Sequence, residues 1–320
     1  MPYNNTFNDI TNLAKKRTPF LLIISFDKKN IFVKPLDKLK NIYYKFKNKQ
    51  NFTNINKKYQ EYYLNKFPLD FRIYQKSIQK VKEKILKGDT YLLNLTFKTK
   101  IETNIELKDI FKLSKADFKL YFNNEFICFS PERFIKIEDN IISTYPMKGT
   151  IDADILNAKD KILNNPKEMA EHIMMVDLMR NDLSIVSKNV KVDKFRYIQK
   201  INAGDKQLLQ VSSKISGKLN NNWQDDLGDI LDKLLPAGSI SGTPKKKTIE
   251  IINDIENYDR EFYSGIFGIF DGKNLDSSVM IRFIEKDENN LYYKSGGGIT
   301  IDSDEQSEYQ ELLDKIYLPL

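Results

Sequence analysis

Four glutamates have a spacing that could build a site for a metal cation. Glu168 and Glu171 are three residues apart shortly after Pro166, and Glu308 and Glu311 repeat this spacing near the end of the chain. In a helix, residues three apart lie on one face. Carboxylate oxygens with open water positions suit Mg²⁺. The two pairs therefore predict a Mg²⁺ site, with solvated surface pairs as the alternative.

The residues after the first pair favour a functional role for it. His172 is the only histidine of the chain, and the apolar segment from Ile173 to Val176 follows it directly. Charged side chains next to a segment that should be buried are unusual on a solvated helix. The polar residues that come next, Asp177 to Asp182, are compatible with structural ion pairs.

Two glycine-rich segments could hold an anion. Gly296, Gly297 and Gly298 are expected in a turn between a strand and the last helix, where their backbone N–H groups could approach an anion closely. A flexible turn is the alternative. The segment from Pro236 to Lys245 leads into another helix. Neither segment has the pattern of a Walker or dinucleotide-binding loop, so a nucleotide is not indicated.

One lysine stands out as a possible nucleophile. Lys148 lies between Met147 and Gly149 in a predicted turn after a strand. A lysine in a tight apolar site can lose its proton and attack as an amine. From the residues alone, an ordinary turn lysine is the favoured alternative. Cys128 lies in an apolar strand and is predicted to be a core residue.

Composition excludes several classes of protein. The net charge is +7 with 44 acidic residues interspersed, which an anionic small substrate explains, and no aromatic-interleaved basic pattern indicates nucleic acid. The apolar run from Phe20 to Phe26 is too short to span a membrane. The N-terminal residues lack a secretory leader pattern, and a single cysteine fits a reducing compartment. We expect a cytoplasmic protein that binds neither membrane nor nucleic acid.

The first predicted helix has a clear apolar stripe. Tyr74, Ile78, Val81 and Ile85 have helical spacing, and Gly88 is a plausible stop signal. A strand is expected from Tyr91 to Phe97.

Later elements alternate between hairpins and helices. An antiparallel meander is predicted over 118–150, with turns at 123–124 and 139–140, and further strands over 263–299. Helices should begin at Asn165-Pro166, at Thr243-Pro244 and near Asp304. This order favours an α+β fold with mainly antiparallel sheets. One domain is expected over 1–320, with a variable N-terminal part (1–65) and a core over 72–317. The stretch from about Lys28 to Asn65 is expected to be a solvated periphery around short strands.

Taken in order, these segments resemble the chorismate-utilising enzymes, a family that includes anthranilate, aminodeoxychorismate, isochorismate and salicylate synthases. The resemblance runs from about Gly88 to Lys315. Its motifs are Ser130 to Phe134, Pro146 to Thr150, Glu168 to Asp182, Pro236 to Lys245, Arg260 to Gly265, Ile281-Arg282 and Gly296 to Lys315. It implies two large, mainly antiparallel sheets sandwiched with helices.

The resemblance also implies roles in metal binding. Glu171 and Glu311 match direct Mg²⁺ ligands, and Glu168 and Glu308 match residues that support them. The metal would hold the ring carboxylate of chorismate. Lys315 matches a lysine near the metal and that carboxylate.

Other matched residues are expected to contact chorismate or to transfer protons. Arg282 and Tyr263 match residues that bind the enolpyruvyl carboxylate, helped by the backbone N–H groups of Gly297 and Gly298. Glu132 matches the general acid that protonates the departing C4 hydroxyl. Gly149, Thr150 and His172 are also expected in the substrate site.

Two positions select among the branches of the family. Water-adding members carry a lysine base where this chain has Leu92 or Leu93, so water addition is disfavoured. Anthranilate synthases typically have alanine at the position of Lys148, whereas aminodeoxychorismate synthases have lysine. In that branch the lysine is thought to attack ring C2, and ammonia then adds at C4. Met147, Phe283 and Leu92 depart from the usual residues of this branch.

The resemblance therefore implies an aminodeoxychorismate synthase component I that makes 4-amino-4-deoxychorismate for 4-aminobenzoate and folate synthesis. Its ammonia would come from a separate glutamine amidotransferase subunit, because one buried cysteine and one histidine cannot build a glutaminase site here. The alternatives are anthranilate synthase component I and a non-catalytic chorismate-binding subunit.

Overall fold

The computed structural model describes residues 3–53, 61–203 and 206–320. The chain forms two compact units, each assembled from three segments. The first unit comprises Met1–Leu39, Glu132–Ser239 and Gly265–Val279, and the second comprises Lys40–Pro131, Ile240–Ser264 and Met280–Leu320. Because the segments alternate along the chain, no single cut separates the units. The prediction of one domain stays a prediction.

The described residues form eighteen strands. In chain order they are β1 (Phe20–Ile24), β2 (Ile31–Pro35), β3 (Ile42–Phe46), β4 (Lys49–Gln50), β5 (Leu64–Phe67), β6 (Leu92–Thr103), β7 (Phe118–Phe122), β8 (Phe126–Ser130), β9 (Arg133–Glu138), β10 (Ile141–Thr144), β11 (Met147–Asp152), β12 (Lys188–Ala203), β13 (Lys206–Lys218), β14 (Gly242–Thr243), β15 (Ile266–Phe270), β16 (Leu275–Val279), β17 (Phe283–Asp287) and β18 (Asn290–Ile299).

The described residues also form eight α-helices. They are α1 (Phe7–Lys15), α2 (Phe71–Leu86), α3 (Leu107–Leu113), α4 (Ala158–Leu163), α5 (Pro166–Val186), α6 (Leu227–Leu234), α7 (Lys245–Ile255) and α8 (Glu305–Asp314). None of these helices combines the length and the apolarity that crossing a bilayer requires. The helices that begin at Pro166, Lys245 and Glu305 confirm the three predicted starts to within two residues.

Each unit contains one nine-stranded antiparallel sheet. The sheet of the first unit has the order β11-β13-β10-β9-β16-β15-β1-β2, with β12 also paired to β13. The sheet of the second unit has the order β14-β6-β18-β17-β8-β7-β3-β4, with β5 also paired to β6. This topology confirms the predicted α+β class with two large, antiparallel sheets.

The hairpin turns lie where the sequence predicted them, but the strands between them do not form one meander. Asn123-Asn124 and Asp139-Asn140 all have positive φ, as tight hairpin turns require. However, β8 belongs to the sheet of the second unit and β9 to that of the first. Pro131 lies between these strands, and proline cannot donate to a strand ladder. The prediction of a single meander was therefore wrong.

The N-terminal part is less peripheral than predicted. All five residues of β1 are fully buried, and β1 pairs with both β2 and β15. β3 alternates buried and half-buried residues and pairs with β7. β1 lies before the predicted periphery. Within it, β3 confirms a short strand but is more buried than a solvated periphery implies, because the interspersed lysines hide a regular alternation of apolar residues. Residues 54–60 lie outside the described part.

Candidate active site

Lys148 lies in a strand rather than in a turn. It belongs to β11, which pairs with β13, and the pairing register shifts between Met147 and Thr150. Gly149 has φ +91°, a backbone conformation that favours glycine. The regular pairing of β11 with β13 is therefore interrupted at Lys148. The turn prediction was wrong because the partner strand β13 lies some 60 residues further along the chain and has no local signal.

The lysine contacts the second glutamate of the first pair. Its Nζ is 2.7 Å from Glu171 Oε2, and the Lys148 side chain is 30% exposed whereas that of Glu171 is 10% exposed. The expected apolar surroundings of Lys148 are therefore replaced by an ion pair. Because Glu171 is buried on α5, the pair fixes the amine while leaving part of it accessible.

The helix α5 is positioned by its first turn. Asn165 is the N-cap, and its side chain accepts a hydrogen bond from the backbone N–H of Glu168 at 3.1 Å. Glu168 in turn packs against Gly149, where an added Cβ would lie 3.0 Å from Glu168 Oε2. The glycine is thus required for close approach as well as for its positive φ. Thr150, the next residue, is exposed.

His172 is a buried neutral residue. It is 0% exposed, and its Nε2 lies 2.7 Å from Ser213 Oγ. Burial lowers the pKa of His172 to about 4, so the ring carries no charge at neutral pH. The ring therefore helps to anchor α5 to β13. Its predicted contact with substrate stays a prediction.

Sequence reasoning missed Ser213 and Arg196, which complete this anchor. The Arg196 backbone N–H donates to Ser213 Oγ at 3.0 Å, and its guanidinium donates to the carbonyls of Leu163 and Ile162 at the end of α4. Arg196 has φ +48°, so it interrupts the regular course of β12. A long β-rich run gives no local signal for such a bulge.

Glu132 has a perturbed carboxyl group. Burial raises its pKa to about 7, and a hydrogen bond with Ser239 opposes the shift. Its backbone carbonyl accepts bonds from Ser278 Oγ (2.7 Å) and from the N–H of Val279 (3.2 Å). The residue as a whole keeps some exposed surface. The carboxyl is therefore desolvated and held in place near an accessible surface, as a general acid requires.

In the second unit, the glycine segment is the end of a strand. Gly296, Gly297 and Gly298 belong to β18 and pair with Thr96, Leu95 and Asn94 of β6. The predicted turn was wrong, because a glycine run gives no propensity signal for a strand. A Cβ at Gly296 would lie 2.3 Å from the carbonyl oxygen of Leu95, so the strands require glycine there.

The second glutamate pair converges on Gly297. A Cβ at Gly297 would lie 3.4 Å from Glu308 Oε2, 3.7 Å from Lys315 Nζ and 3.9 Å from Glu311 Oε1. Lys315 Nζ is 2.6 Å from Glu311 Oε1 and donates to the carbonyl of Gly296 at 2.8 Å. We call Gly297, Glu308, Glu311 and Lys315 the glycine cradle. The cradle brings Glu308, Glu311 and Lys315 close to the backbone of Gly297, and all four were predicted site residues.

Ser303 orients one carboxylate of the cradle and was missed. Its hydroxyl donates to Glu308 Oε1 at 2.8 Å and accepts from the N–H of Thr300 at 3.1 Å. Asp304, next to it, is the N-cap of α8. The sequence signal was available, since a serine beside an N-cap commonly bonds within the first turn.

Arg282 and Tyr263 lie in the same unit as the cradle. Arg282 has φ +53°, donates to the carbonyl of Lys315 at 3.2 Å and stacks on Tyr317 at 5.3 Å. Tyr263 is 3% exposed, and burial raises its pKa to about 12. Arg282 is thus tied to the end of α8. Its role in binding a carboxylate stays a prediction, as does that of Tyr263.

The donor chemistry of both units fits Mg²⁺. Within the described residues, no group of three or more His, Cys, Asp or Glu side chains is close enough to hold an ion. Each unit contributes one carboxylate pair, and the second glutamate of each pair contacts a lysine ammonium, Lys148 or Lys315. Carboxylate oxygens are ligands that Mg²⁺ accepts, and Mg²⁺ usually keeps several waters.

The family model for chorismate binding enzymes matches residues 22–320. The chain belongs to this family. The match includes every residue of the glycine cradle, together with Lys148 and Glu171. It confirms that the chain is a chorismate-utilising enzyme.

Curated relatives agree with the family. The chain is 49% identical over 309 residues to an uncharacterized PabA-like protein of Haemophilus influenzae, covering 96% of this chain and 94% of that protein. It is 33% identical over 261 residues to aminodeoxychorismate synthase component 1 of Salmonella typhimurium, covering 76% of this chain and 56% of that protein. The chain thus spans just over half the length of the Salmonella enzyme.

A solved structure confirms the fold. Anthranilate synthase component I of Streptococcus pneumoniae superposes with a TM-score of 0.69 at 25% sequence identity, covering 79% of this chain and 58% of that one. The similar proteins therefore include an aminodeoxychorismate synthase component and an anthranilate synthase component. The choice between them depends on individual side chains.

Proposed function

We propose that this family member is the aminating component of aminodeoxychorismate synthase, which converts chorismate and ammonia into 4-amino-4-deoxychorismate and water. The observation that supports this reaction is the position of Lys148. Its Nζ is 2.7 Å from Oε2 of the buried Glu171, and the Lys148 side chain is 30% exposed. The ion pair therefore positions the amine, which can act as a nucleophile once it is released from Glu171 and has lost its proton.

The proposed reaction proceeds in two substitutions. The ion pair with Glu171 must first open and Lys148 must lose its proton to solvent. Glu132 then gives its proton to the C4 hydroxyl of chorismate, which leaves as water while the neutral Lys148 amine bonds to ring C2 and both ring double bonds shift. Ammonia bonds to C4, both double bonds shift back, the C2–N bond breaks to release Lys148 as a neutral amine, and the new C4 ammonium returns a proton to the Glu132 carboxylate.

The carboxylates and basic groups would bind the acidic substrate. Following the resemblance, Glu171 and Glu311 are the proposed Mg²⁺ ligands, and Glu168 and Glu308 the residues that support them. When bound, the metal would supply positive charge for the ring carboxylate of chorismate. Arg282 and the N–H groups of Gly297 and Gly298 would bind the enolpyruvyl carboxylate.

Anthranilate synthase is the second candidate, favoured by the similarity to the Streptococcus structure. A product assay distinguishes the two. The purified chain is incubated with chorismate, Mg²⁺ and ammonium, and the products are separated by liquid chromatography and identified by mass and fluorescence. We expect 4-amino-4-deoxychorismate. Formation of fluorescent anthranilate without that product would refute the proposal, and absence of turnover would favour a non-catalytic subunit.

A further inference from the structure

The glycine end of β18 pairs with one neighbouring strand. Among the residues that the structure describes, β17 pairs with β18 only as far as Lys294, whereas β6 continues to pair with it to Ile299. Glycines have no side chains that could pack this end of the strand in place. The position of the glycine cradle therefore depends on β6, in addition to the bond from Lys315 to the carbonyl of Gly296.

The outer edge of β6 is completed by an ion pair where strand pairing stops. β14 pairs with the first two residues of β6. Further along, the N–H of Thr96 donates to Glu256 Oε1 at 2.8 Å, and the carbonyl of Asn94 accepts from Arg260 Nη2 at 2.6 Å. Thr96 is fully buried, so its N–H requires a partner inside the protein. Glu256 and Arg260 therefore take the place of a further strand behind the cradle.

The geometry of this ion pair is suited to fixing a position. The side chains of Arg260 and Glu256 are 2% and 1% exposed. Arg260 Nε and Nη2 donate to the two carboxylate oxygens at 2.8 and 2.6 Å, and Nη1 donates to the carbonyl of Ile240 at 2.9 Å. Burying two charges is costly, and a buried ion pair is weak evidence for stability alone. A two-pronged pair does give a defined orientation.

The loop that contains Arg260 also contacts β18 directly. Lys294 Nζ donates to the backbone carbonyl of Arg260 at 3.2 Å and lies 2.6 Å from Glu285 Oε2. Lys294 is two residues before Gly296 in the same strand. The side chain of Arg260 thus bonds to β6, and its backbone is bonded by β18. One residue therefore links the two strands that form the backbone of the cradle.

We propose that Arg260, paired with Glu256, is a positioning residue for the binding of chorismate. The pair fixes β6 against β18 and so sets the place of Gly297 relative to the charged side chains of the cradle. Bonds that hold a binding site from outside commonly decide its affinity. The inference rests on the proposed binding of chorismate at the cradle, and Arg260 acts there through the backbone of β6.

The test measures chorismate binding without turnover. All variants are made in a Lys148→Ala background, and the Kd for chorismate is measured by isothermal titration in the presence of Mg²⁺. Arg260→Lys keeps the charge, but its single nitrogen cannot bond to Glu256 and to the carbonyls of Asn94 and Ile240 together. We expect the Kd to rise at least about tenfold, as on loss of an outer supporting bond at other ligand sites.

A second variant and a matched control complete the experiment. Glu256→Gln keeps an oxygen for the N–H of Thr96 but loses the charge, so its Kd should rise as well, and it carries the test if Arg260→Lys does not fold. Lys119→Met is the control. Lys119 is a buried cation of the same unit, but its Nζ donates to the carbonyls of Phe111 and Ser114 beside α3. It should lower the thermal midpoint and leave the Kd unchanged.

The combination of affinity and stability decides the role of the pair. Variants of Arg260 and Glu256 that unfold at lower temperature but bind chorismate with the Kd of the background would show a structural role only and overturn the proposal. An equal rise of the Kd in Lys119→Met would trace the effect to general loss of stability and also overturn it. Anthranilate formation by the wild-type chain would refute the proposed function instead, and the binding data would still decide the role of Arg260.

Discussion

At the scale of single residues, the same arrangement occurs in both units. Lys148 contacts Glu171 at 2.7 Å, and Lys315 contacts Glu311 at 2.6 Å. In each case the lysine holds the second glutamate of an i, i+3 pair. A bound divalent cation would compete with these ammonium groups for the carboxylates.

The first prediction concerns one of these carboxylates. Glu311→Gln keeps the shape of the side chain but removes its charge, so Mg²⁺ affinity should fall at least about tenfold, as for loss of a charged ligand. Isothermal titration of Mg²⁺ in the presence of chorismate measures this affinity independently of turnover. Glu305→Gln is the control, because Glu305 lies on the same helix but bonds to Gln75 and Gln79 of α2. Equal affinities for both variants would exclude Glu311 as a ligand.

The second prediction concerns pH. Glu132 can act as an acid only while it holds its proton, and its pKa is raised to about 7. The protonated form is therefore complete well below pH 7 and is lost as the pH rises, so kcat/KM should fall about tenfold per pH unit above it. The Ser239 hydrogen bond lowers this pKa, so Ser239→Ala should move the descending limb to higher pH. If the descending limb of the pH profile does not move in Ser239→Ala, Glu132 is not the group whose titration causes it.

The helical positions of the glutamates were predictable, whereas the surroundings of other residues were not. The i, i+3 pairs lie on α5 and α8 as predicted, because helix spacing is a local property, and their roles stay predictions. The sequence pattern placed Lys148 in an apolar turn, whereas the residue lies in a bulged strand beside a carboxylate. Ser213, which bonds His172 from a distant strand, had no local signal.

At the scale of elements, two adjacent glycines at the end of β18 have different surroundings. A Cβ at Gly296 would meet the Leu95 carbonyl at 2.3 Å, whereas one at Gly297 would make ordinary contacts at 3.4 Å or more with the charged groups of the cradle. Adjacent glycines therefore serve different purposes, one for strand pairing and one for open space.

The third prediction follows from this difference. Gly296→Ala should lower the free energy of unfolding by about 1–3 kcal/mol through overpacking against β6. Gly297→Ala should leave stability nearly unchanged but raise the KM for chorismate, because the methyl group fills the cradle. Urea denaturation and steady-state kinetics of both variants measure the two effects. Equal losses of stability in both variants would contradict the assignment.

Elements were predictable where their signals are local. The cap at Asn165, the helix start near Asp304 and the turns at 123–124 and 139–140 depend on nearby residues, and all were confirmed. Strand partners depend on residues far apart, so the pairing of β11 with β13 and the division between β8 and β9 were not predictable.

At the scale of the whole molecule, each of the two units contains one sheet and one glutamate pair. Glu168 and Glu171 belong to the first unit, and Glu308 and Glu311 to the second. Composition and spacing could not predict this division. The resemblance to the family predicted two sheets, because it depends on ordered motifs over most of the chain.

The fourth prediction concerns the nitrogen source. The chain has one cysteine, which is buried, and one histidine, which is buried and neutral. We therefore expect turnover with ammonium and none with glutamine until a glutaminase subunit is added. A coupled assay of product formation with each nitrogen source measures this. Glutamine-dependent turnover by the purified chain alone would contradict the proposed partner.

The most direct test of the central claim is the mass of the chain after incubation with chorismate and Mg²⁺ without ammonium. If Lys148 attacks C2, the intact mass should increase by that of chorismate less one water, and peptide mapping should place the adduct on Lys148. The adduct should disappear when ammonium is added and should not form in Lys148→Ala. An unmodified chain that nevertheless makes 4-amino-4-deoxychorismate, or a Lys148→Ala variant with wild-type rate and product, would contradict the account.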